Sequence, residues 1–443
     1  MNRRLLGLVC LATAMLFVVS VMPVRATQNL EKTQEWVANG DTVVNAVYAS
    51  ELYPGSGVKI ITLGSAVTGV GVKQAQLRIW TWSGTTLTLD KGREFTLGDS
   101  TSTYPTEYGL GVFAGHLDGG SGWAIVTVGY AVDTNGANHD HLAIWTWDGT
   151  TLTRRIDLGR ASPATMRGVY AYDFDGTYME IVTVGENGNN NDGVIYVWNW
   201  AGGGTITQVS SASWTGTSIQ VRGVYIESIK GGTTKQIITA GTVTQTGVKY
   251  GHVRVYDYTN GAPVFADDDL LRFSSHDTEL FSVFAGQFDN SHTDVAACGN
   301  FDNSGNPEAG VQIFRWNSGT SNLDERVPHP WLPTGVTATQ CRGVFGADLN
   351  TSHTGVEIVA GGYALISGTE NGEVRTFNYD GGTTGASFSN EEYTDWVLSG
   401  NTRVNGVFCA NVDSDTTIEF LSAGQGVDSH GTINAQLRIW HLS

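Results

Sequence analysis

Strand-length apolar runs dominate the chain, and they recur in a fixed order. A Gly-Val-aromatic-Ala segment is followed by a β-branched run ending in glycine, then by a run whose aromatics stand two residues apart. Gly168-Val169-Tyr170-Ala171, Glu180-Ile181-Val182-Thr183-Val184-Gly185 and the stretch from Val194 to Trp200 form the clearest copy. A spacing of two puts residues on one face of a pleated strand, so Trp198 and Trp200 share a face and their neighbours take the other. Both faces are then apolar, as expected of a sheet held between two others. Ser83-Gly84 and Asp148-Gly149 follow the third strand as hairpin turns, and a fourth strand comes next, as from Leu152 to Leu158.

The first-strand valines are Val47, Val112, Val169, Val224, Val283, Val344 and Val407, spaced by 55 to 65 residues. Units of this size cannot bury their own faces and stack into an array. The seventh unit stops after Ile439-Trp440 with no fourth strand, and the missing piece stands at the other terminus. Residues 34–40 match residues 394–400, and Trp36 to Val47 and Trp396 to Val407 are both eleven residues. An N-terminal strand that completes the last unit removes the free edges between first and last. The pattern therefore predicts an all-β fold: one seven-bladed β-propeller of four-stranded blades over residues 27–443, closed by its N-terminal strand and nearly free of helix.

Residues 1–26 read differently. Arg3 and Arg4 precede an apolar run from Leu5 to Met22, and Val24-Arg25-Ala26 offers a small-residue cleavage site. This is the pattern of a signal peptide, with a retained membrane anchor as the alternative. The expected location is extracellular or at the cell surface, with no membrane span after cleavage.

The whole chain carries 25 basic and 43 acidic residues, a net charge of -18. Loss of residues 1–26 removes three arginines and no acid, which takes it to -21. Nucleic acid is excluded as a partner on this ground, because binding a polyanion rests on basic patches. Cys298, Cys341 and Cys409 are too few for a disulfide scaffold; Cys298 and Cys341 are read either as one bridge or as buried thiols.

The stretch between the first two strands reads Ala171-Tyr172-Asp173-Phe174-Asp175-Gly176 before Glu180-Ile181 in the third unit. This resembles the FG-GAP/VCBS-type repeats of integrin α-head-like propellers and many secreted microbial proteins. The resemblance covers the mature chain through short motifs. It implies a loop that binds structural Ca²⁺, here through Asp173, Asp175 and Glu180, with Asp413, Asp415 and Glu419 as a second instance. The alternative is that these acids accept turn amides. Other loops depart from the pattern: Asp118 stands almost alone, and Lys230-Gly231-Gly232 has no acid.

The residue two before each first-strand valine is Asn45, Leu110, Arg167, Arg222, Phe281, Arg342 or Asn405. First strands line a propeller's central channel, so these positions are expected at its mouth. Arg167, Arg222 and Arg342 with Asn45 and Asn405 could bind a carboxylate, phosphate or sugar hydroxyl there, or pair with acids such as Asp277 or Glu279. Eight of the thirteen tryptophans fall on third strands and four on fourth strands, as core; only Trp123 lies outside these positions. His139-Asp140-His141 is a weak metal candidate, because no third ligand is visible in sequence.

No nucleophile elbow, Cys–His pair or glycosidase signature interrupts the repeats, so the chain is read as a non-enzyme. The expected function is a secreted or cell-surface binding or adhesion propeller that presents loops to an extracellular carbohydrate or protein. The alternatives are a structural subunit that self-assembles outside the cell and a polysaccharide-active enzyme.

Overall fold

The computed structural model describes residues 27–443, except 69–70, 119–121, 189–191, 274–275, 290, 304, 351–352, 354 and 382–386. The expected signal peptide, residues 1–26, lies outside the described residues. No α-helix occurs among the described residues.

The chain opens with β1 (Gln28–Trp36) and then runs as antiparallel meanders. The first is β2 (Thr42–Ser50), β3 (Lys59–Val67), β4 (Lys73–Trp82) and β5 (Leu87–Phe95). Next come β6 (Thr106–His116), β7 (Trp123–Val132), β8 (Asn138–Trp147) and β9 (Leu152–Tyr172), then β10 (Glu180–Asn187), β11 (Asp192–Trp200) and β12 (Ile206–Trp214). The fourth set is β13 (Thr217–Glu227), β14 (Gln236–Gln245), β15 (Val248–Thr259) and β16 (Ala262–Leu271). The fifth is β17 (Thr278–Gly286), β18 (Asp294–Asn303), β19 (Asn306–Asn317) and β20 (Asn322–Trp331). The sixth is β21 (Val336–Ala347), β22 (Glu357–Ile366), β23 (Thr369–Asp380) and β24 (Ser387–Trp396). The last is β25 (Thr402–Ala410), β26 (Glu419–Val427) and β27 (Ile433–Leu442).

β9 differs from the sequence reading, which ended the fourth strand at Leu158. It is a single strand of 21 residues whose first part pairs with β8 and whose second part pairs with β10. The outer strand of one meander thus continues as the inner strand of the next.

The inner strands neighbour one another in a closed cycle, in the order β2, β6, β9, β13, β17, β21 and β25, and β25 returns to β2. The molecule is a β-propeller. β1 lies antiparallel to β27, Gln28 opposite Leu442 and Trp36 opposite Ala435, so the N-terminal strand supplies the outer strand that the last meander lacks. Trp36 packs on Trp80 at 4.9 Å between centroids and donates its indole N–H to Gln76 at 2.7 Å.

The core sits between sheets, where both faces of the middle strands are covered: Ile61, Leu63, Ile181 and Val182 are fully buried. Four tryptophans of the third strands bury with a polar anchor, whereas Trp82 and Trp147 bury their indole N–H without one. Trp80, Trp145, Trp198 and Trp440 donate to Thr62, Thr127, Thr183 and Ser422 on the adjacent second strand, at 2.9–3.1 Å. A buried indole N–H without an acceptor costs roughly 1–3 kcal/mol, which gives the hydroxyl at this place in the β-branched run its purpose. Cys298, Cys341 and Cys409 are free, buried thiols, so the bridge between Cys298 and Cys341 does not form in this structure. Burial first, then the neighbouring Cys341, raises the Cys298 thiol pKa far above its usual range.

The aromatic of each Val-aromatic pair closes a second cycle. Tyr48, Phe113, Tyr170, Tyr225, Phe284, Phe345 and Phe408 touch in sequence at 4.3–5.0 Å between centroids, with Phe408 returning to Tyr48. This girdle narrows the channel about three residues, roughly 10 Å, from the positions expected at its mouth.

Candidate functional site at the channel mouth

Each inner strand breaks its pairing at the residue expected at the mouth, and β13 and β21 break it a second time nearer their starts. Val44 pairs with Gly64 and Ala46 with Leu63, leaving Asn45 out of register. The same shift leaves out Leu110, Arg167, Arg222, Phe281, Arg342 and Asn405. A β-bulge re-aims the side chain it carries. Opposite the bulge, the chain repeats a glycine. A Cβ on Gly185 would lie 1.8 Å from the Thr165 carbonyl oxygen, and one on Gly362 would lie 1.7 Å from that of Gln340.

The bulged residues converge on one cavity of about 180 Å³ on the channel axis. Asn45 and Asn405 use their amide groups to staple neighbouring strands, donating to Gly109 O and Val44 O at 2.8 Å each. Arg167 donates from Nε to both Glu186 oxygens at 2.8 and 2.9 Å, beside a smaller pocket of about 140 Å³. Arg222 lies 3.7 Å from Glu279 and stacks over the Phe281 ring at 4.3 Å. Its Nη1 is buried without a hydrogen-bond partner. Arg403 joins the group with Nη2 2.5 Å from Glu370.

Arg342 stands apart. Among the described residues no carboxylate lies within ion-pair distance of it, and its Nε has no hydrogen-bond partner. Its guanidinium faces the Phe281 and Tyr363 rings at 6.0 and 5.9 Å. Burial and the charge of Arg403 lower its pKa, only partly offset by Tyr363 and Glu370. Burial likewise pushes Arg222 down to about 10 against the pull of Glu279. Arg222 thus keeps one carboxylate partner, Glu279, and Arg342 has none among the described residues.

Sequence reasoning placed the arginines and named Glu279 as a pairing acid, which Arg222 meets, but missed Glu186, Glu370, Arg403 and Tyr363. Of these, Glu186 and Tyr363 directly follow the strand-end glycines Gly185 and Gly362, a signal that was available.

The loop acids come together as expected. Carboxylate oxygens of Asp173, Asp175 and Glu180 lie within 4.8 Å of one another, as do those of Asp413, Asp415 and Glu419. They also accept turn amides: Asp173 from Gly176 at 2.6 Å, Asp175 from Thr177 at 2.8 Å and Glu180 from Phe174 at 2.9 Å. Burial, then the charges of Asp175 and Asp173, raises the Glu180 carboxyl pKa. A hard divalent cation would relieve that repulsion, so the donor set fits Ca²⁺. The three carboxylates would supply part of the six or more oxygens that the ion takes.

His139-Asp140-His141 does not form a metal site among the described residues. His139 Nε2 bonds Asp133 at 3.1 Å and Asp140 pairs with Arg160. His141 is buried between Glu107 and Asp157, with Nε2 2.7 Å from the latter. Burial alone would lower its pKa, but the two carboxylates outweigh it and push it up to about 9.

No protein-family model matches the chain, and no curated protein matches it in sequence. Solved structures resemble it in shape. Sqt1 from Chaetomium thermophilum is 12% identical with a TM-score of 0.49, over 93% of this chain and 99% of that one. The Dos1 propeller is 9% identical at 0.43, over 94% and 95%. A protein of unknown function from Dyadobacter fermentans is 11% identical at 0.48, over 94% and 99%.

Proposed function

We propose that this is an exported, seven-bladed propeller that binds an acidic group of an extracellular carbohydrate or protein at its channel mouth, without catalysis. The strand order supports seven blades: β9 serves twice, and β1 joins β25 to β27, so every meander has four places. The loop acids support a kinship with FG-GAP/VCBS-type repeats, with Asp173, Asp175 and Glu180 holding a structural Ca²⁺ when the ion is bound. The observation that carries the functional reading is the Arg222–Phe281–Arg342 group, in which the half-buried Arg342 lacks a carboxylate partner among the described residues. In a chain of net charge -18, cations concentrated on one axis favour an anionic ligand there.

The test is calorimetric titration with uronate-containing and sulfated oligosaccharides and with acidic peptides. An acidic ligand is expected to bind more weakly as salt rises. Binding is expected to vanish when Arg167, Arg222 and Arg342 are all changed to alanine, with the circular dichroism unchanged. A folded triple variant that binds like the parent refutes the reading.

One observation favours a self-assembling subunit as a second reading. Six of the eight exposed large hydrophobics among the described residues, Leu30, Leu89, Val209, Val264, Phe265 and Tyr393, lie on outer strands. Outer strands offer unpaired edges to a neighbour. A native mass many times that of the chain would favour this reading.

A further inference from the structure

The far end of the channel, beyond the aromatic girdle, is not symmetric. The inner strands end in Ser50, His116, Tyr172 and Glu227 in four successive meanders, but in Gly286, Ala347 and Ala410 in the other three. The residue paired with each of these opens the second strand. It is Lys59, Glu180, Gln236, Asp294, Glu357 or Glu419 in six cases, and all six are buried, at 8% exposure or less. In the remaining case it is Trp123, opposite His116 and only half-buried. A repeat broken at one place, by a large, half-buried aromatic beside a cleft, marks a site that the architecture does not itself require.

Trp123 borders a cleft of about 390 Å³. The girdle residues Tyr48, Phe113 and Tyr170 line it, together with His116 and Tyr172, and the His116 ring lies 3.8 Å from that of Trp123. Its polar end is the Glu227–Lys235 pair. The same two residues line a second cavity of about 450 Å³, so the pair stands between two adjoining spaces, together the groove. That second space holds another ring with a cation over it, Lys230 Nζ 4.1 Å from the centroid of Trp316. The basic groups along the groove have counter-charges of their own. Lys235 pairs with Glu227, Lys230 with Asp257 at 2.7 Å, and Arg315 with Asp289 at 2.7 Å.

Half-buried aromatic rings lining a cleft together with locally neutralised hydrogen-bonding pairs suit an uncharged ligand that has both C–H faces and hydroxyls. We infer that this groove binds a neutral oligosaccharide, one sugar ring against Trp123 and Tyr172 and its hydroxyls on Glu227 and Lys235. The inference deepens the proposed binding function by naming a carbohydrate. It rests on different residues from the channel mouth, so the two succeed or fail separately.

The experiment uses the whole chain and a panel of neutral cello-, xylo-, manno-, malto- and chito-oligosaccharides, read by calorimetry and by tryptophan fluorescence. At least one is expected to bind and to shift the emission. Trp123→Ala is expected to weaken binding by about tenfold, the scale of one lost stacking contact. Glu227→Gln with Lys235→Met tests the polar end without touching the core, and keeps the site testable if Trp123→Ala does not fold. Arg222→Ala with Arg342→Ala is expected to leave neutral-sugar affinity unchanged. Failure of every neutral oligosaccharide to bind at millimolar concentration overturns the inference. So does binding that survives both groove variants, or binding that is lost only in the arginine variant.

Discussion

Gly185 lies so close to Thr165 that a Cβ placed on it would stand 1.8 Å from the Thr165 carbonyl oxygen. That approach exists because the inner strand bulges at Arg167, and the same geometry recurs at each strand-end glycine from Gly64 to Gly424. Gly185→Ala is expected to cost about 3 kcal/mol or more, because the obstacle is backbone and cannot rotate away. Gly203→Ala, in open space, should stay within about 0.5 kcal/mol. Urea denaturation of the two variants checks the contrast, and equal stabilities would remove the argument for the bulge.

Ring closure makes the first strand indispensable to the last. Deletion of residues 27–40 removes β1 and its pairing with β27. The melting temperature should fall sharply in one transition. Trp36→Ala, which removes only the half-buried indole, should cost about 2 kcal/mol. A melting curve unaffected by the deletion would contradict closure.

His141 ties stability to pH. Its pKa is about 9 in the folded protein against 6.5 unfolded, so the folded state holds the proton more tightly. The contribution is therefore full below about pH 6.5, and is lost as pH rises through about 9. It amounts to about 3 kcal/mol on the 1.36 kcal/mol-per-unit scale. The difference in unfolding free energy between the parent and His141→Gln should shrink from about pH 6 to about pH 9.5. A constant difference would show that the ring does not titrate there.

Calcium should act as a structural ligand. At a hundredfold excess over its dissociation constant it would add about 2.7 kcal/mol, seen as a rise in melting temperature that a chelator reverses. Asp175→Asn combined with Asp415→Asn should abolish the response. A parent protein indifferent to calcium and chelator alike would leave these acids as turn acceptors only.

At the channel mouth, Arg342→Ala should weaken an acidic ligand more than Arg167→Ala. Arg167 is already paired with Glu186, whereas Arg342 is a half-buried cation with no carboxylate in ion-pair distance among the described residues. Loss of one charged hydrogen bond corresponds to about 1.5–3 kcal/mol, or roughly ten- to a hundredfold in affinity. Equal effects of the two variants would assign the ligand to both sites alike.

The sequence alone determined the strands, the repeat and the closing N-terminal strand, because each is a local pattern. Alternation sets which residues share a face, and Trp36 and Trp396 announce the same strand at opposite ends of the chain. It also placed Arg167, Arg222 and Arg342 in one ring, since an equivalent position in each repeat must reach the same axis. Only the tertiary structure decided which charges meet. Glu279 was legible as a pairing acid, but Glu186 and Glu370 meet Arg167 and Arg403 across neighbouring strands and sheets. The missing carboxylate at Arg342 depends on side chains 20 to 60 residues away. The same holds for the far groove: Trp123 could be seen to break the pattern, but Glu227 and Lys235 reach its cleft only when the ring closes and brings separate blades side by side.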